Sequence, residues 1–427
     1  MDFPFSRSMK AASSAHHHLD ALTGVRAFAA LWVFVFHSWS NAGSPAISLA
    51  IRAQPIDLTP LVAFGWLGVD VFFVLSGFLL TRQAVLRQEH TLPAGTASRF
   101  VSAFGEKYGS YLRRRILRVY PAYYACLTAL LILAAMGVYR HLPGELDLLL
   151  HLGMVHNFIE KYIATMNSVF WTMPFEWQFY LVFPLLVIVL KRYGGWSLYA
   201  IALLGVVASK LFVMYTNNGY PQVLLPIRLD AFAAGMCAGA YSIARPPTRA
   251  FAATAFWAGL GILLATPWVF AGYNQVFHYY DLKGFLRAPW IQIGICLMLV
   301  GLTGDRHAGV RIFGNKIVAG LGLISYSIYL VHVPIIDLLP WLGLIPQRTA
   351  LVTVSWWRIL VTACPLVLLL SALLYWLIER PFQASGKASQ TVDRRRLRLG
   401  NFAFAYPLVT LGIWGIALEA YLFLRTG

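Results

Sequence analysis

Apolar runs of about 20 residues, separated by short polar segments, recur along almost the whole chain. A run of this length is enough for a helix to cross the hydrocarbon core of a bilayer. The pattern predicts an all-α, polytopic transmembrane bundle of about 10–11 spans. We place the spans at about 23–41, 61–82, 117–138, 168–190, 196–215, 224–244, 251–271, 288–303, 317–337, 352–378 and 402–424.

Composition agrees with a membrane protein. The 427 residues are 59% hydrophobic and 12% charged, with a mean hydropathy of +0.65, whereas soluble domains carry about 25% charged residues. The net charge of +17 does not require a nucleic-acid partner, and we expect none. With the N-terminus cytoplasmic, the inner loops hold about 22 Lys and Arg and the outer loops about 7, as the positive-inside rule predicts.

We divide the chain into a cytoplasmic N-terminal segment (1–22), a membrane domain (23–382) and a basic cytoplasmic loop with an extra C-terminal span (383–427). The four cysteines all lie in apolar runs without the spacing of a zinc site or a disulfide framework. We therefore expect no metal. The oligomeric state stays open.

The first span carries two ionisable residues, Arg26 and His37. Eleven helical residues return to within about 20° of the starting direction and advance about 16 Å. The two side chains therefore share a helix face but cannot touch each other. Each alone could be an interfacial anchor, but ionisable groups within a bilayer usually mark function.

Further polar residues lie within the second and sixth spans. Asp70 needs a partner or a proton inside the bilayer, and Arg228 or Arg26 could supply the charge. Asp70 is therefore either structural or a substrate contact. Ser76 is a candidate substrate contact too, although Ser76-Gly77 more simply permits close helix packing, as do Gly235 and Gly239.

Arginines and a carboxylate mark the third and fourth spans. Arg115 and Arg118 are one helical turn apart, and guanidinium groups match phosphate oxygens; other arginines of this cluster can serve topology alone. Glu176 is expected at the same depth as His37, where it could orient the imidazole. The alternative for Glu176 is a structural hydrogen bond.

The ninth span ends in a polar run that includes Tyr326 and His332. Its hydroxyl groups and the imidazole could line a cavity near the outer face. We treat Tyr326 and His332 as candidate substrate contacts.

Six motifs occur in the order found in the acyltransferase-three family of integral membrane acyltransferases, which the chain resembles. They are Arg26 and His37 with ten residues between them, Gly68 to Phe78, Arg115-x-x-Arg118 with Tyr120-Pro121, Phe170-Trp171-Thr172 with Glu176, Ser325 to His332, and Glu379-Arg380-Pro381-Phe382. Thr172-Met173 replaces a usual Ser-Leu pair, which is a conservative departure.

The resemblance implies transfer of an acyl group, typically acetyl from acetyl-CoA, to an acceptor hydroxyl. It implies His37 as the catalytic residue and Arg26, Arg115 and Arg118 as donor-binding residues. A carbohydrate or lipid-linked glycan is the implied acceptor, and the inner membrane of a bacterium is the expected location. His37 could act as a general base or form an acyl-enzyme.

Two other functions compete with this one, whereas a non-catalytic membrane scaffold would not explain polar groups on so many spans. The first is acylation of a cytoplasmic small molecule, which needs the same donor site. The second is a proton-coupled transporter or flippase, with Asp70, Arg228 and Asp230 as a charge relay.

Overall fold

The computed structural model describes residues 4–51, 54–88, 97–216, 225–270, 282–304, 307–346 and 355–388. Helices dominate these residues. They are α1 (Pro4–Asn41), α2 (Thr59–Ala63), α3 (Leu67–Gln88), α4 (Ala97–Ala135), α5 (Glu145–Leu152), α6 (Met173–Thr216), α7 (Leu229–Ala244), α8 (Arg249–Val269), α9 (Leu282–Gly301), α10 (Ala308–Phe313), α11 (Lys316–Leu323), α12 (Ser325–Leu338), α13 (Trp356–Leu374) and α14 (Arg380–Ala388).

Short elements connect several of these helices. Single 3₁₀ turns cover His156–Phe158, Glu160–Tyr162, Phe170–Thr172 and Leu225–Arg228, and a π-helical turn covers Tyr375–Glu379. Between α1 and α2, β1 (Ser48–Ile51) pairs antiparallel with β2 (Gln54–Asp57), with Ser48 opposite Asp57. The sequence patterns did not predict this hairpin.

The predicted polytopic helical bundle is confirmed. Within the described part of the chain, six helical segments are long and apolar enough to cross a membrane, or seven if the bent α11–α12 pair is one span. The predicted spans at 224–244 and 288–303 fall on α7 and α9, whose apolar parts are shorter. The predicted span at 402–424 lies outside the described residues.

The long helix α6 contains the break that the sequence predicts between its fourth and fifth spans. Gly194 has φ of 84° and ψ of 172°, so the helix does not continue through this residue. A positive φ is favourable for glycine, which has no Cβ. The predicted separation into 168–190 and 196–215 therefore has a conformational basis.

Helices α3 and α7 pack at the shortest distance that glycine allows. A Cβ on Gly235 would lie 1.9 Å from the carbonyl oxygen of Val74, and one on Gly77 would lie 2.2 Å from that of Phe232. The small-residue packing predicted for these helices is confirmed. Aromatic residues fill the neighbouring core, where the rings of Phe179 and Phe232 stack at 4.0 Å.

Candidate active site

Helix α1 runs without a break through both of the polar residues that distinguish the first span. Arg26 and His37 are therefore held on one rigid element, on a common face and about 16 Å apart along its axis. The two residues have different surroundings. Arg26 lines a cavity, whereas His37 contacts a second histidine.

The cavity lies among α1, α3, α4, α6 and α12 and contains about 660 Å³ of empty space, including its open mouth. Its polar wall brings together five of the predicted site residues. The lining comprises Arg26, Val69, Phe72, Phe73, Ser76, Arg118, Val119, Thr172, Met173, Glu176, Ser325, Tyr326 and Tyr329.

The two arginines of the third span occupy different positions at this cavity. Arg118 lines it, and Arg115 lies beside it, with its guanidinium 5.6 Å and 5.7 Å from the ring centres of Tyr111 and Tyr180. Arg115 also donates a hydrogen bond to Gln83 at 3.4 Å. Arg26 is close enough to both arginines for electrostatic repulsion, so this part of the site favours an anionic ligand.

Glu176 belongs to this arginine-lined cavity. Ser76 donates a hydrogen bond to Glu176 Oε1 at 3.4 Å, and Tyr180 donates a short one to the same oxygen. The carboxylate also attracts Arg26 electrostatically. The expectation that Glu176 orients His37 is therefore wrong, because the hydrogen-bond partners of Glu176 are the hydroxyl groups of Ser76 and Tyr180.

Hydroxyl groups on α12 complete the cavity wall. Tyr326 donates to the carbonyl oxygen of Val119 at 2.9 Å, which ties α12 to α4. Tyr329 OH lies 2.9 Å from Thr172 Oγ1 and 3.1 Å from the carbonyl oxygen of Val169. These bonds fix the side of the cavity that approaches the histidines, since the rings of Tyr329 and His332 are 5.8 Å apart.

A second carboxylate, Glu379, faces the arginines from the end of α13, and our choice of site residues from the sequence omitted it. It is 2% exposed, accepts a short hydrogen bond from Ser327, and is close enough to Arg118 and Arg26 for electrostatic attraction. It is the last residue of the π-helical turn, a feature that often occurs at functional sites. The motif Glu379-Arg380-Pro381-Phe382 was the sequence signal that could have identified it.

His37 and His332 form a hydrogen-bonded pair. His37 Nδ1 lies 3.1 Å from His332 Nε2, and His332 Nδ1 lies 3.0 Å from the carbonyl oxygen of Ile328. A carbonyl can only accept, so a neutral His332 carries its hydrogen on Nδ1 and accepts at Nε2. His37 Nδ1 must then donate, to His332 and to the carbonyl oxygen of Val33 at 3.1 Å.

This arrangement leaves the lone pair of a neutral His37 on Nε2. His332 is completely buried, whereas His37 is partly exposed. The partly exposed imidazole can therefore accept a proton or attack an electrophile with Nε2. His332 Nε2 accepts the hydrogen bond from the opposite ring nitrogen of His37, Nδ1.

The buried charges outside the cavity pair with one another. Arg228 Nη1 lies 3.3 Å from Asp70 Oδ1, which confirms the first of the two partners that the sequence offered. Asp230 accepts a hydrogen bond from Gln292 at 2.7 Å, and the guanidinium of buried Arg287 also attracts Asp70. Asp70 thus has a structural partner, and its role as a substrate contact stays a prediction.

Residues 19–376 match the sequence model of one protein family, acyltransferase three, which is described as an acyltransferase domain. The chain belongs to the acyltransferase-three family. It is 23% identical to acyltransferase MdmB of Streptomyces mycarofaciens over 74% of this chain and 79% of that one. It is 22% identical to a Staphylococcus aureus (strain COL) protein named as an O-acetyltransferase, over 86% of this chain and 58% of that one.

A protein of Acidianus two-tailed virus that is named as an acetyltransferase is 26% identical over 42% of this chain, and the match covers 44% of the viral protein. The chain thus spans less than half of this relative and somewhat more than half of the staphylococcal one. No solved structure matches the chain significantly.

Membership of the acyltransferase-three family favours acyl transfer over transport. The chain is a multi-pass membrane protein of this family. The ion pair between Asp70 and Arg228 joins α3 to the residue that precedes α7. Among the described residues, no group of three or more His, Cys, Asp or Glu side chains could hold a metal ion.

Proposed function

We propose that this acyltransferase moves an acyl group, most simply acetyl, from acyl-CoA to a hydroxyl of a carbohydrate or glycolipid acceptor. The observation that carries the proposal is the separation of two polar groups along α1. Arg26 lines the arginine-rich cavity at one end, and His37 forms the histidine pair about 16 Å away. The extended arm of CoA has a comparable reach.

The arginine-lined cavity suits the phosphates of the donor. Guanidinium groups bind phosphate oxygens through several hydrogen bonds at once, and Arg26 and Arg118 both line the cavity. The distribution of basic residues among the loops favours a cytoplasmic position for this end of α1. Acyl-CoA is present in that compartment.

His37 would carry out the chemistry at the other end. As the acceptor hydroxyl attacks the thioester carbonyl, its proton passes to His37 Nε2, the C–S bond breaks, and the imidazolium returns the proton to the CoA thiolate. In the competing mechanism, Nε2 attacks the thioester carbonyl first, the C–S bond breaks with CoA departing as the thiolate, and an acyl-histidine forms. The acceptor hydroxyl then attacks this acyl group, the N–C bond breaks, and the hydroxyl proton passes to the CoA thiolate. The same hydrogen bond to His332 orients Nε2 for either step.

The location of the acceptor distinguishes the main proposal from acylation of a cytoplasmic small molecule. We propose that the acceptor approaches from the extracytoplasmic side of a bacterial inner membrane, because His37 lies towards the C-terminal, outer end of α1. In sealed proteoliposomes with acyl-CoA on one side only, acylated product should accumulate on the opposite side. Product on the donor side would favour the alternative.

The central test uses purified protein with radiolabelled acetyl-CoA. Wild-type protein should release CoA, and His37→Ala should abolish this turnover with unchanged expression and thermal stability. His141→Ala is a matched control, since His141 is exposed. Retained turnover in His37→Ala would refute the proposal, and labelled protein trapped without acceptor would select the acyl-histidine mechanism.

A further inference from the structure

A group of polar residues lies directly beyond the histidine pair, on the same two helices. Asn41 follows His37 by one helical turn at the end of α1, and Asp337 follows His332 at the end of α12. Asn41 Nδ2 lies 3.5 Å from Asp337 Oδ1, so the two helix ends meet here. One turn advances about 5.4 Å, so this group is within the reach of a molecule that contacts His37.

The carboxylate of Asp337 is surrounded by donors that are all at long distances. Besides Asn41, Tyr139 OH lies 3.3 Å and Arg140 Nη2 3.7 Å from Oδ2. Hydrogen bonds to a carboxylate are normally shorter than 3.0 Å. The Asp337 and Arg140 side chains are 30% and 34% exposed, so the carboxylate retains capacity to accept stronger hydrogen bonds from a ligand.

Arg140 is held in place from its other side. It donates hydrogen bonds to the carbonyl oxygens of Ala164 and Thr165 at 2.7 Å and 3.1 Å. Its backbone has φ of 35°, which is unfavourable for a residue with a side chain. Strained backbone of this kind is concentrated at functional sites, and here it fixes a guanidinium beside Asp337 without a close ion pair.

We propose that Asp337, Asn41 and Arg140 form the binding site for a polyhydroxy acceptor, which rests on the function proposed above. Neighbouring hydroxyls of one sugar ring donate to Asp337, and Asn41 and Arg140 donate to its oxygen atoms. A further hydroxyl of the same ring then lies towards His37 Nε2. The site selects molecules with several hydroxyl groups, because a simple alcohol can occupy the reactive position but cannot bridge these residues.

The test measures how acetyl from acetyl-CoA divides between ethanol and methyl β-D-glucopyranoside, offered in water at equal concentrations of hydroxyl groups, with hydrolysis measured alongside. This ratio is independent of the amount of folded enzyme and of donor affinity, since it compares products of the same turnover. Wild-type protein should prefer the glucoside to ethanol by at least about tenfold, which is the effect of one hydrogen bond to a charged group. Asp337→Asn should bring the preference close to parity, because the amide replaces the carboxylate that accepts the hydrogen bonds of the sugar hydroxyls.

Asp57→Asn is the matched control. Asp57 is an exposed carboxylate in the hairpin after α1, where it accepts a hydrogen bond from the Thr59 amide at 2.9 Å, and its replacement should leave the preference intact. A wild-type enzyme without preference for the glucoside, or an Asp337→Asn variant that keeps it, would overturn the acceptor site and leave the proposed function standing. Absence of any acetyl-CoA turnover in wild-type protein would instead reject the function on which the site rests.

Discussion

Replacement of His332 tests whether this residue positions His37 or reacts itself. Two variants separate the possibilities. His332→Leu removes the acceptor that faces His37 Nδ1 at 3.1 Å, and His332→Gln retains an oxygen that can accept the same hydrogen bond. Both side chains are close to histidine in size, which limits the disturbance of a completely buried position.

The expected loss follows from the contacts of His37 Nδ1. In His332→Leu the carbonyl oxygen of Val33 remains as an acceptor at 3.1 Å, so the lone pair stays on Nε2. The loss is therefore that of one neutral hydrogen bond, about 1 kcal/mol, or about fivefold in kcat. His332→Gln should lose less than this, whereas His37→Gln removes the acid–base group and should lose about 10²–10⁴-fold.

The assay is CoA release under saturating acetyl-CoA, with KM for the donor measured in parallel. The positioning role predicts a decrease in kcat with an unchanged donor KM, since His332 does not line the arginine-rich cavity. If His332→Leu were as inactive as His37→Gln, His332 would take part in the reaction itself. If it equalled wild-type protein, the orienting hydrogen bond would have no role.

Four further predictions concern the donor cavity and stability, and thermal unfolding in detergent measures the last three. Arg118→Gln should raise the KM for acetyl-CoA about tenfold in steady-state kinetics and leave kcat little changed, because a charged hydrogen bond to phosphate is lost. Glu379→Gln should destabilise the ligand-free protein, and CoA should stabilise this variant more than wild-type protein, because phosphate replaces the lost charge. Asp70→Asn should cost about 3–5 kcal/mol of unfolding free energy because buried Arg228 loses the carboxylate that pairs with it, and adding Arg228→Met should recover most of this cost. Burial and the nearby His151 hold the pKa of His156 well below its usual value. The unfolded state therefore binds more protons than the folded state as the pH falls, and the free energy of unfolding should fall by about 2 kcal/mol from pH 7 to 5. His156→Asn should reduce this loss.

The features that the sequence predicted depend on the helix period, on the cost of burying a lone charge and on the packing of small residues. The common face of Arg26 and His37 needs only an unbroken helix, and α1 provides it. The pairing of Asp70 with Arg228 follows from the cost of a lone charge in an apolar interior. Gly77 and Gly235 predicted close packing because small residues have few other uses in a membrane helix.

Glu176 shows where this reasoning failed. The sequence predicts Glu176 at the depth of His37 only if the fourth span, 168–190, begins at the membrane surface. Several residues before α6 are instead buried, among them His156, Asn167 and Phe170, all 0% exposed. Helix α6 therefore begins inside the bundle, and Glu176 faces Ser76 and Tyr180. Depth along a span also leaves the rotation of the helix undetermined, so the choice between His37 and the arginines needed the tertiary structure.

The position of Glu379 has a similar cause. A π-helical turn accommodates one more residue than an α-helical turn, and it rotates every later side chain to a new face. The turn at Tyr375–Glu379 thus directs the carboxylate towards Ser327, which the 3.6-residue period of α13 does not predict. Local irregularities of this kind depend on packing between helices, so the motif Glu379-Arg380-Pro381-Phe382 marks the carboxylate in the sequence but does not say which way it faces.

The fixed geometry of α1 constrains the proposed reaction more strongly than any single contact does. Its lower part is anchored where Gly24 lies so close to Phe313 that a Cβ would be 1.9 Å from the carbonyl oxygen, and its upper part is tied to α13 by the hydrogen bond from Trp356 to Ser38 at 3.0 Å. The distance from Arg26 to His37 is set by the helix itself, because both residues lie on unbroken α1. A donor whose phosphates are held at Arg26 must extend its own chain to deliver the acyl group, so the length of the pantetheine arm, and not a movement of the protein, brings the thioester to His37.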